Sequence, residues 1–355
     1  MKYGSNLEGR ICVCGAGHQG IAMAAHLALN GECVSLWNRT AEHIRKIEQS
    51  RMIHCEGVVN GDAMLEKVSS DIREVISDFI MITAPSNAHA DIAKVIAPYV
   101  NKDTIIILNP GRTFGAIDFA DHLRKNGVKK LPHIAETQTI VYTCRKRNED
   151  HANIIAMKRN VSIASLDKND IEYIMERLPE CLKGYFQVAT MADTSFSNMG
   201  MILHCAPVLM NIGWIESEKT IFKYYYDGIS RTIAHFLEKL DKERIFVAEK
   251  MGYKMETVEG WLKRTYGVKG QGLFECLQNN DAYKEIDAPP RLENSRYILE
   301  DVPEGLVPIE YMAKQLEIET PYITLIIDLA NAIYEIDFRK RGRKISLENW
   351  KEYNL

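Results

Sequence analysis

The stretch Gly15-Ala16-Gly17-His18-Gln19-Gly20 constrains the fold more tightly than any other part of the chain. It follows an apolar run at residues 11–14 and opens an alanine-rich helical pattern at residues 19–29. A Gly-x-Gly-x-x-Gly sequence alone is a weak signal, but between a strand and a helix it suits a dinucleotide. Gly15 allows the sharp turn, Gly17 lets backbone approach a pyrophosphate, and Gly20 lets the helix pack closely on the sheet. The phosphates would then meet free amides and the positive end of the helix dipole. Gly15, Ala16, Gly17, His18, Gln19 and Gly20 are therefore the first candidate cofactor-binding residues.

The rest of the first half repeats the alternation. Strands are expected at 33–37, 79–83, 104–108, 133–136 and 161–164, and helices at 41–49, 87–99 and 117–126, with an extra hairpin within 52–68. Strands interleaved with helices of this length predict a doubly wound parallel sheet of the Rossmann type. From residue 195 onward helical periodicity dominates, with long amphipathic segments at 227–251 and 322–334. A length of 355 residues also suits two domains at ~150 residues each. The expected division is an α/β NAD(P)-binding domain at 1–190 and an all-α substrate domain at 191–355.

Composition narrows the partners. The chain has 44 Lys plus Arg against 48 Asp plus Glu, a formal charge of −4, which argues against nucleic acid as a partner. Eight scattered cysteines with no Cys-x-x-Cys offer neither a structural zinc site nor a disulfide framework. Residues 1–10 are polar and lack the layout of a secretory signal. The longest apolar stretch, 199–215, is interrupted by His204, Pro207 and Asn211 and falls short of the ~20 residues of a membrane helix. A cytoplasmic protein without metal, membrane or nucleic-acid partners is expected, and its apolar C-terminal helices could support a homodimer.

The end of the second strand selects the cofactor. NAD-selective sites place a carboxylate there to accept from the ribose 2′-hydroxyl. This chain reads Trp37-Asn38-Arg39-Thr40, with no carboxylate between Val34 and Ala41. Asn38 and Thr40 can donate to a 2′-phosphate, and Arg39 adds a permanently charged planar fork. NADP(H) is expected over NAD(H), with NAD(H) as the alternative. Pro85, Asn109 and Gly111 follow two further strands, where ligands of such sheets bind, and are candidates for lining the nicotinamide and its ribose.

Two stretches of the second half are chemically unusual. One is a mostly apolar helix with a single histidine, Asn198 through His204-Cys205-Ala206-Pro207; the other is Arg296…Glu300-Asp301-Val302-Pro303. Together with the glycine loop, Ala135-Glu136-Thr137 and Tyr142-Thr143-Cys144-Arg145, they occur in the order found in the opine dehydrogenases, such as octopine and nopaline dehydrogenases. The chain resembles that family over nearly its whole length. Cys205 departs from it, since many members carry proline after the histidine.

The resemblance implies a Rossmann domain, an all-helical substrate domain and an active site in the cleft between them. It makes His204 the catalytic histidine, Asp301 its carboxylate partner, and Arg296 the holder of an α-keto acid carboxylate. Asn198, Glu136 and Thr137 become further substrate-binding candidates. The implied reaction condenses an α-keto acid, by default pyruvate, with the amino group of an amino acid. The imine is then reduced by NAD(P)H to a secondary amine dicarboxylate. An imidazole suits the proton transfers because it titrates near neutrality, and a carboxylate partner would fix its tautomer. Two other readings share the fold: a keto-acid or ketone reductase of the ketopantoate reductase or glycerol-3-phosphate dehydrogenase type, and a non-catalytic NADP(H)-binding sensor.

Overall fold

The computed structural model describes residues 9–217, 221–289, 291–293 and 295–353. The polar segment at 1–8, part of the stretch tested above for a secretory signal, lies outside them. Contacts divide the chain into a unit that ends at Ser195 and also takes in the C-terminal turn from Lys351, and a second unit, Phe196–Trp350. The expected division at 190/191 is therefore shifted, and the last turn changes sides. Thr194 and Ser195 donate their hydroxyls to the Glu136 carboxylate (2.6 and 2.9 Å), which ties them to the first unit. Arg124 binds Glu352 (3.0 Å) and lies over the Tyr353 ring, which does the same for the C-terminal turn.

The strands of the first unit are β1 (Arg10–Cys14), β2 (Cys33–Trp37), β3 (Met52–Gly57), β4 (Gly61–Met64), β5 (Lys67–Ser69), β6 (Phe79–Ile82), β7 (Ile105–Leu108), β8 (His133–Thr137), β9 (Tyr142–Asn148), β10 (His151–Met157), β11 (Val161–Ser165) and β12 (Phe186–Val188). Eight form one sheet in the order β12-β11-β8-β7-β6-β1-β2-β5. The run from β5 to β8 is parallel, and β11 is antiparallel to β8. The chain builds outward from β1 through β2 to β5, then crosses to β6 on the other flank of β1. Strand order thus reverses between β1 and β6, and the crevice at their carboxyl ends is where ligands of such sheets bind. β7, Ile-Ile-Ile-Leu, is buried throughout, which explains an apolar run without alternation.

The expected hairpin forms as β3–β4, but it is half of a second sheet, in the order β4-β3-β10-β9. The helix α1 (His18–Leu29) packs against strands of both sheets, and Gly20–Leu27 is buried without a break. A helix covered on all sides must be apolar all round, hence its run of Ala, Ile and Met. The polar exception, His26, binds the Tyr142 hydroxyl (3.0 Å).

The second unit is helical. Its longest helix, Arg231–Lys250, is capped by Ser230, whose hydroxyl accepts from the Ile233 amide (3.3 Å). Arg244, fully buried, donates to Asp241, the Phe196 carbonyl and the Glu256 carbonyl, while Asp241 also accepts from the Val258 amide. A buried ion pair is tolerable only with such complete bonding. No helix among the described residues is long and apolar enough to cross a membrane.

Glu310, 2 % exposed, binds Arg339, Lys314 and Thr324. Burial alone would raise its carboxyl, but these bonds outweigh it and hold the group down at about 2, against an ordinary 4.5. Its ionisation therefore stabilises the fold above about pH 4.5, and that stabilisation is lost as the pH falls through about 2. Glu310→Gln should melt a few degrees below the parent at neutral pH, and the gap should close as the pH falls from about 5 to about 2. Thermal melts across that range check this; a constant gap would refute it.

Candidate active site

Gly15 turns at φ +115°, and a Cβ there would come within 3.0 Å of the Ala84 amide nitrogen. A Cβ on Gly20 would overlap the Gly15 carbonyl oxygen. Thr83, at the end of β6, donates its hydroxyl to Cys14 O and Gly15 O (3.1 and 3.2 Å), so the loop is held across the strand reversal. Gly17 is exposed, with nothing within 4 Å of where a Cβ would stand. α1 carries no side-chain cap and no acidic residue in its first turn. This cradle fits a dinucleotide pyrophosphate.

The neighbours of the loop differ from expectation. Asn38 accepts from the Ala16 amide (3.0 Å) and donates to the Thr40 carbonyl (2.9 Å), so its amide braces the loop instead of facing a ligand. The Ala16 amide and Thr40 carbonyl are engaged in the same bonds. Arg39 is exposed and pairs with Asp91 (2.7 Å). His18 accepts at Nδ1 from the Lys146 amide (2.7 Å), and Cys144 donates to His18 O and Gln19 Oε1. Lys146, which sequence reasoning missed, places its ammonium at Ala16 O (3.2 Å) and His43 O (3.4 Å). Only the basic run on β9 hinted at it.

At the other strand ends, Pro85 is part-buried. Asn109 is buried and donates to Ile107 O (2.9 Å), and its Oδ1 has no partner among the described residues. The Gly111 amide donates to Thr137 O (3.2 Å), and a Cβ on Gly111 would overlap the Glu136 carboxylate. Glu136 itself, wholly buried, accepts from Thr194, Ser195 and the Ala116 amide (2.8 Å). In the structure this carboxylate is a bracket inside the α/β unit. Thr137, 1 % exposed and donating to Leu108 O (3.3 Å), is likewise structural.

In the helical unit His204 lies midway along the helix Met199–Met210. Pro207 in that helix has no N–H to bond the carbonyl of Leu203, four residues back. The Tyr224 hydroxyl fills the gap, reaching Leu203 O (3.3 Å) and His204 O (2.7 Å). This docking brings the next residue, Tyr225, to the imidazole: its hydroxyl is 3.1 Å from Nε2. On the other ring nitrogen Asp301 Oδ2 is 2.7 Å from Nδ1. Tyr297 stacks on the ring at 3.9 Å and 12°. Asp301, 2 % exposed, sits where the short helix Arg296–Leu299 passes into the π-helical turn Val302–Leu306. Such widened turns are frequent at functional sites.

With Nδ1–H donating to the Asp301 carboxylate, Nε2 is left to accept from the Tyr225 hydroxyl. Burial pushes the Tyr225 hydroxyl well above its usual range, which keeps it a donor. Cys205 donates to Tyr297 O (3.4 Å), so the departure from proline ties the histidine helix to the stacking tyrosine. Asn198 is buried at the start of this helix without a capping bond, next to Gly305. Arg296 is partly engaged: its Nε and Nη2 bind the buried Glu300 (2.8 and 2.5 Å), which occupies one edge of the guanidinium and leaves Nη1 outside that pair. The tyrosines escaped sequence reasoning, although the run Tyr224-Tyr225-Tyr226 and the in-helix proline were visible signals.

Residues 187–334 match the family described as NAD/NADP octopine/nopaline dehydrogenase, alpha-helical domain. Residues 10–111 match the NAD-dependent glycerol-3-phosphate dehydrogenase N-terminus. An opine dehydrogenase of Arthrobacter sp. (strain 1C) is 35% identical over 94% of this chain and 93% of that protein. Two solved structures share the fold: octopine dehydrogenase in complex with NADH and agmatine, and NADP+-bound yersinopine dehydrogenase. Each has a TM-score of 0.77, at 16% and 13% identity, covering 94% of this chain and 94% and 92% of theirs. The glycerol-3-phosphate dehydrogenase likeness stops before the helical unit, so that unit decides among the dehydrogenases sharing this nucleotide fold. An NAD(P)-dependent oxidoreductase by its nucleotide fold and its relatives, the chain belongs to the opine dehydrogenase family.

Proposed function

We propose that the protein joins an α-keto acid to the amino group of an amino acid and reduces the imine, with His204 as the catalytic acid–base. The observation that carries this reading is the His204–Asp301 pair, a part-buried imidazole bonded to a buried carboxylate and stacked on Tyr297. Pyruvate and L-arginine, named with NADH in octopine dehydrogenase structures, support the substrate classes. As the carbinolamine collapses, the neutral amine gives up two protons and the carbonyl oxygen leaves as water carrying them. His204 moves these protons at Nε2, while Asp301 holds Nδ1 and stabilises the imidazolium. Tyr225 is a positioning residue that steadies Nε2 until a substrate oxygen takes its place, and Asn198 is retained as an orienting residue. The nicotinamide, when bound, would supply the hydride to the imine carbon, and His204 would pass one further proton, taken up from solvent, to the imine nitrogen.

We also propose a preference for NADP(H), with NAD(H) as a weaker alternative. The missing carboxylate after β2, exposed Arg39 and the Lys146 ammonium beside the loop support it. The Arg39–Asp91 pair is worth only ~0–1 kcal/mol at such exposure, so a phosphate can exchange for Asp91. A cytoplasmic homodimer is the proposed state; Leu325, Leu329 and Ile333 expose one apolar stripe on the helix Pro321–Tyr334.

NADPH oxidation with pyruvate against a panel of L-amino acids, with mass spectrometry of products, tests the reaction; turnover without any amine would refute it. His204→Ala should lower kcat by about 10²–10⁴-fold with cofactor affinity unchanged. Asp301→Asn should also be severe, whereas Tyr225→Phe should cost only about 2–10-fold. Equal losses in all three variants would remove the positioning role of Tyr225. For the cofactor, kcat/KM should favour NADPH over NADH, and Lys146→Met should narrow that ratio. Higher efficiency with NADH in the parent protein would overturn the preference.

A further inference from the structure

Lys158 in the α/β unit stands in surroundings suited to an anion. It follows β10, and its amide donates to Val141 O (2.8 Å), fixing it beside the segment that leaves the carboxyl end of β8. Its ammonium donates to Thr139 Oγ1 (3.4 Å) and Ile140 O (3.2 Å). Both acceptors are neutral, an ammonium carries three donors, and no carboxylate pairs with Lys158 among the described residues. Burial drives the ammonium down to about 8; the Cys144 thiol opposes this and the charge of Arg112 adds to it.

Arg112 is the second cation of the locality. It follows Gly111, whose amide joins the end of β7 to Thr137 of β8. Its φ of +64° is the left-handed conformation that side-chain-bearing residues seldom adopt. Strained backbone of this kind gathers at ligand sites. The two cations therefore lie at the carboxyl edge of the parallel sheet, beyond the strand reversal toward β8. Lys158 is part-buried, and a cation held there without a carboxylate among the described residues gains from a bound anion.

We propose that Lys158 forms a carboxylate subsite that holds one of the two substrate acids. The proposal rests on the reading of the substrates as an α-keto acid and an amino acid. It also supplies a second recognition group, because two carboxylates must be recognised and one edge of the Arg296 guanidinium is already bound to Glu300. The ligand chemistry is a carboxylate, from either co-substrate.

The test compares the parent enzyme with Lys158→Met and Lys158→Arg, using pyruvate and the amino acid that best supports NADPH oxidation. Lys158→Met should raise KM for one of the two acids by about 10–100-fold, as loss of a charged hydrogen bond predicts, with kcat little changed. Which KM rises identifies the acid held there. Lys158→Arg should restore most of the loss, and the NADPH Kd, read from its fluorescence, should stay within about twofold in both variants. Calorimetric titration of the NADPH complex with oxamate, a non-reacting carboxylate, gives a readout without turnover, and Lys158→Met should weaken it if the keto acid is held. Unchanged KM values for both acids overturn the subsite, and a raised NADPH Kd alone overturns it in favour of a cofactor-phosphate contact. If the parent enzyme turns over no pair at all, the opine reading fails; oxamate binding that then depends on Lys158 still upholds a carboxylate subsite.

Discussion

A carboxylate 2 % exposed can persist in a protein only where donors reach it, and for Asp301 the imidazole of His204 is such a donor. The geometry of the helical unit's chemistry hangs on that bond. It sets the tautomer, and the tautomer sets which nitrogen faces Tyr225. The ring plane is set independently by Tyr297, which Cys205 anchors through its carbonyl. Ring position, ring plane and tautomer thus come from three different segments of one unit. A proline explains how one of them is recruited: Pro207 leaves Leu203 O short of its helical bond, and Tyr224 supplies it.

Features governed by local backbone chemistry were legible in the sequence. The glycine loop was readable because Gly15 and Gly20 sit where a Cβ has no room, a constraint no other residue type satisfies. The parallel core was readable from β7, whose unbroken apolar run has few other uses. β9 and β10 were not, because Arg145-Lys146-Arg147-Asn148 makes β9 read as a polar segment, and β10, which it pairs with, finds its other partner, β3, nearly a hundred residues away. The motif around Tyr142 and Cys144 carried the family resemblance, yet its contacts are with His26, His18 and Gln19. It marks how the second sheet docks on α1, so a family signature need not be a substrate contact.

The site residues divide along the same line. His204 and Asp301 could be paired through the resemblance, and their separation of 97 positions put the pairing beyond any spacing argument. Glu136 shows another side: a carboxylate within a family motif reads as chemistry, while Thr194, Ser195 and the Ala116 amide engage it as a bracket. Side-chain charge reports what a residue could bind, while only the fold reports what it has already bound.

That distinction orders the cations. Arg39 pairs with Asp91 in open solvent, where exchange for a phosphate costs ~1 kcal/mol or less. Arg296 pairs with a buried carboxylate, and removing it would strip Glu300 of its guanidinium, at up to ~3–5 kcal/mol for a fully buried pair. The exposed half of the Arg296–Glu300 pair lowers that figure without bringing it to the level of Arg39. Under the proposed reaction, a carboxylate that joins Lys158, which has no carboxylate partner among the described residues, displaces nothing, whereas at the Nε edge of Arg296 it would have to displace Glu300. The near-neutral net charge conceals this ranking, because it counts a surface pair, a half-buried pair and a lysine with only neutral acceptors among the described residues alike.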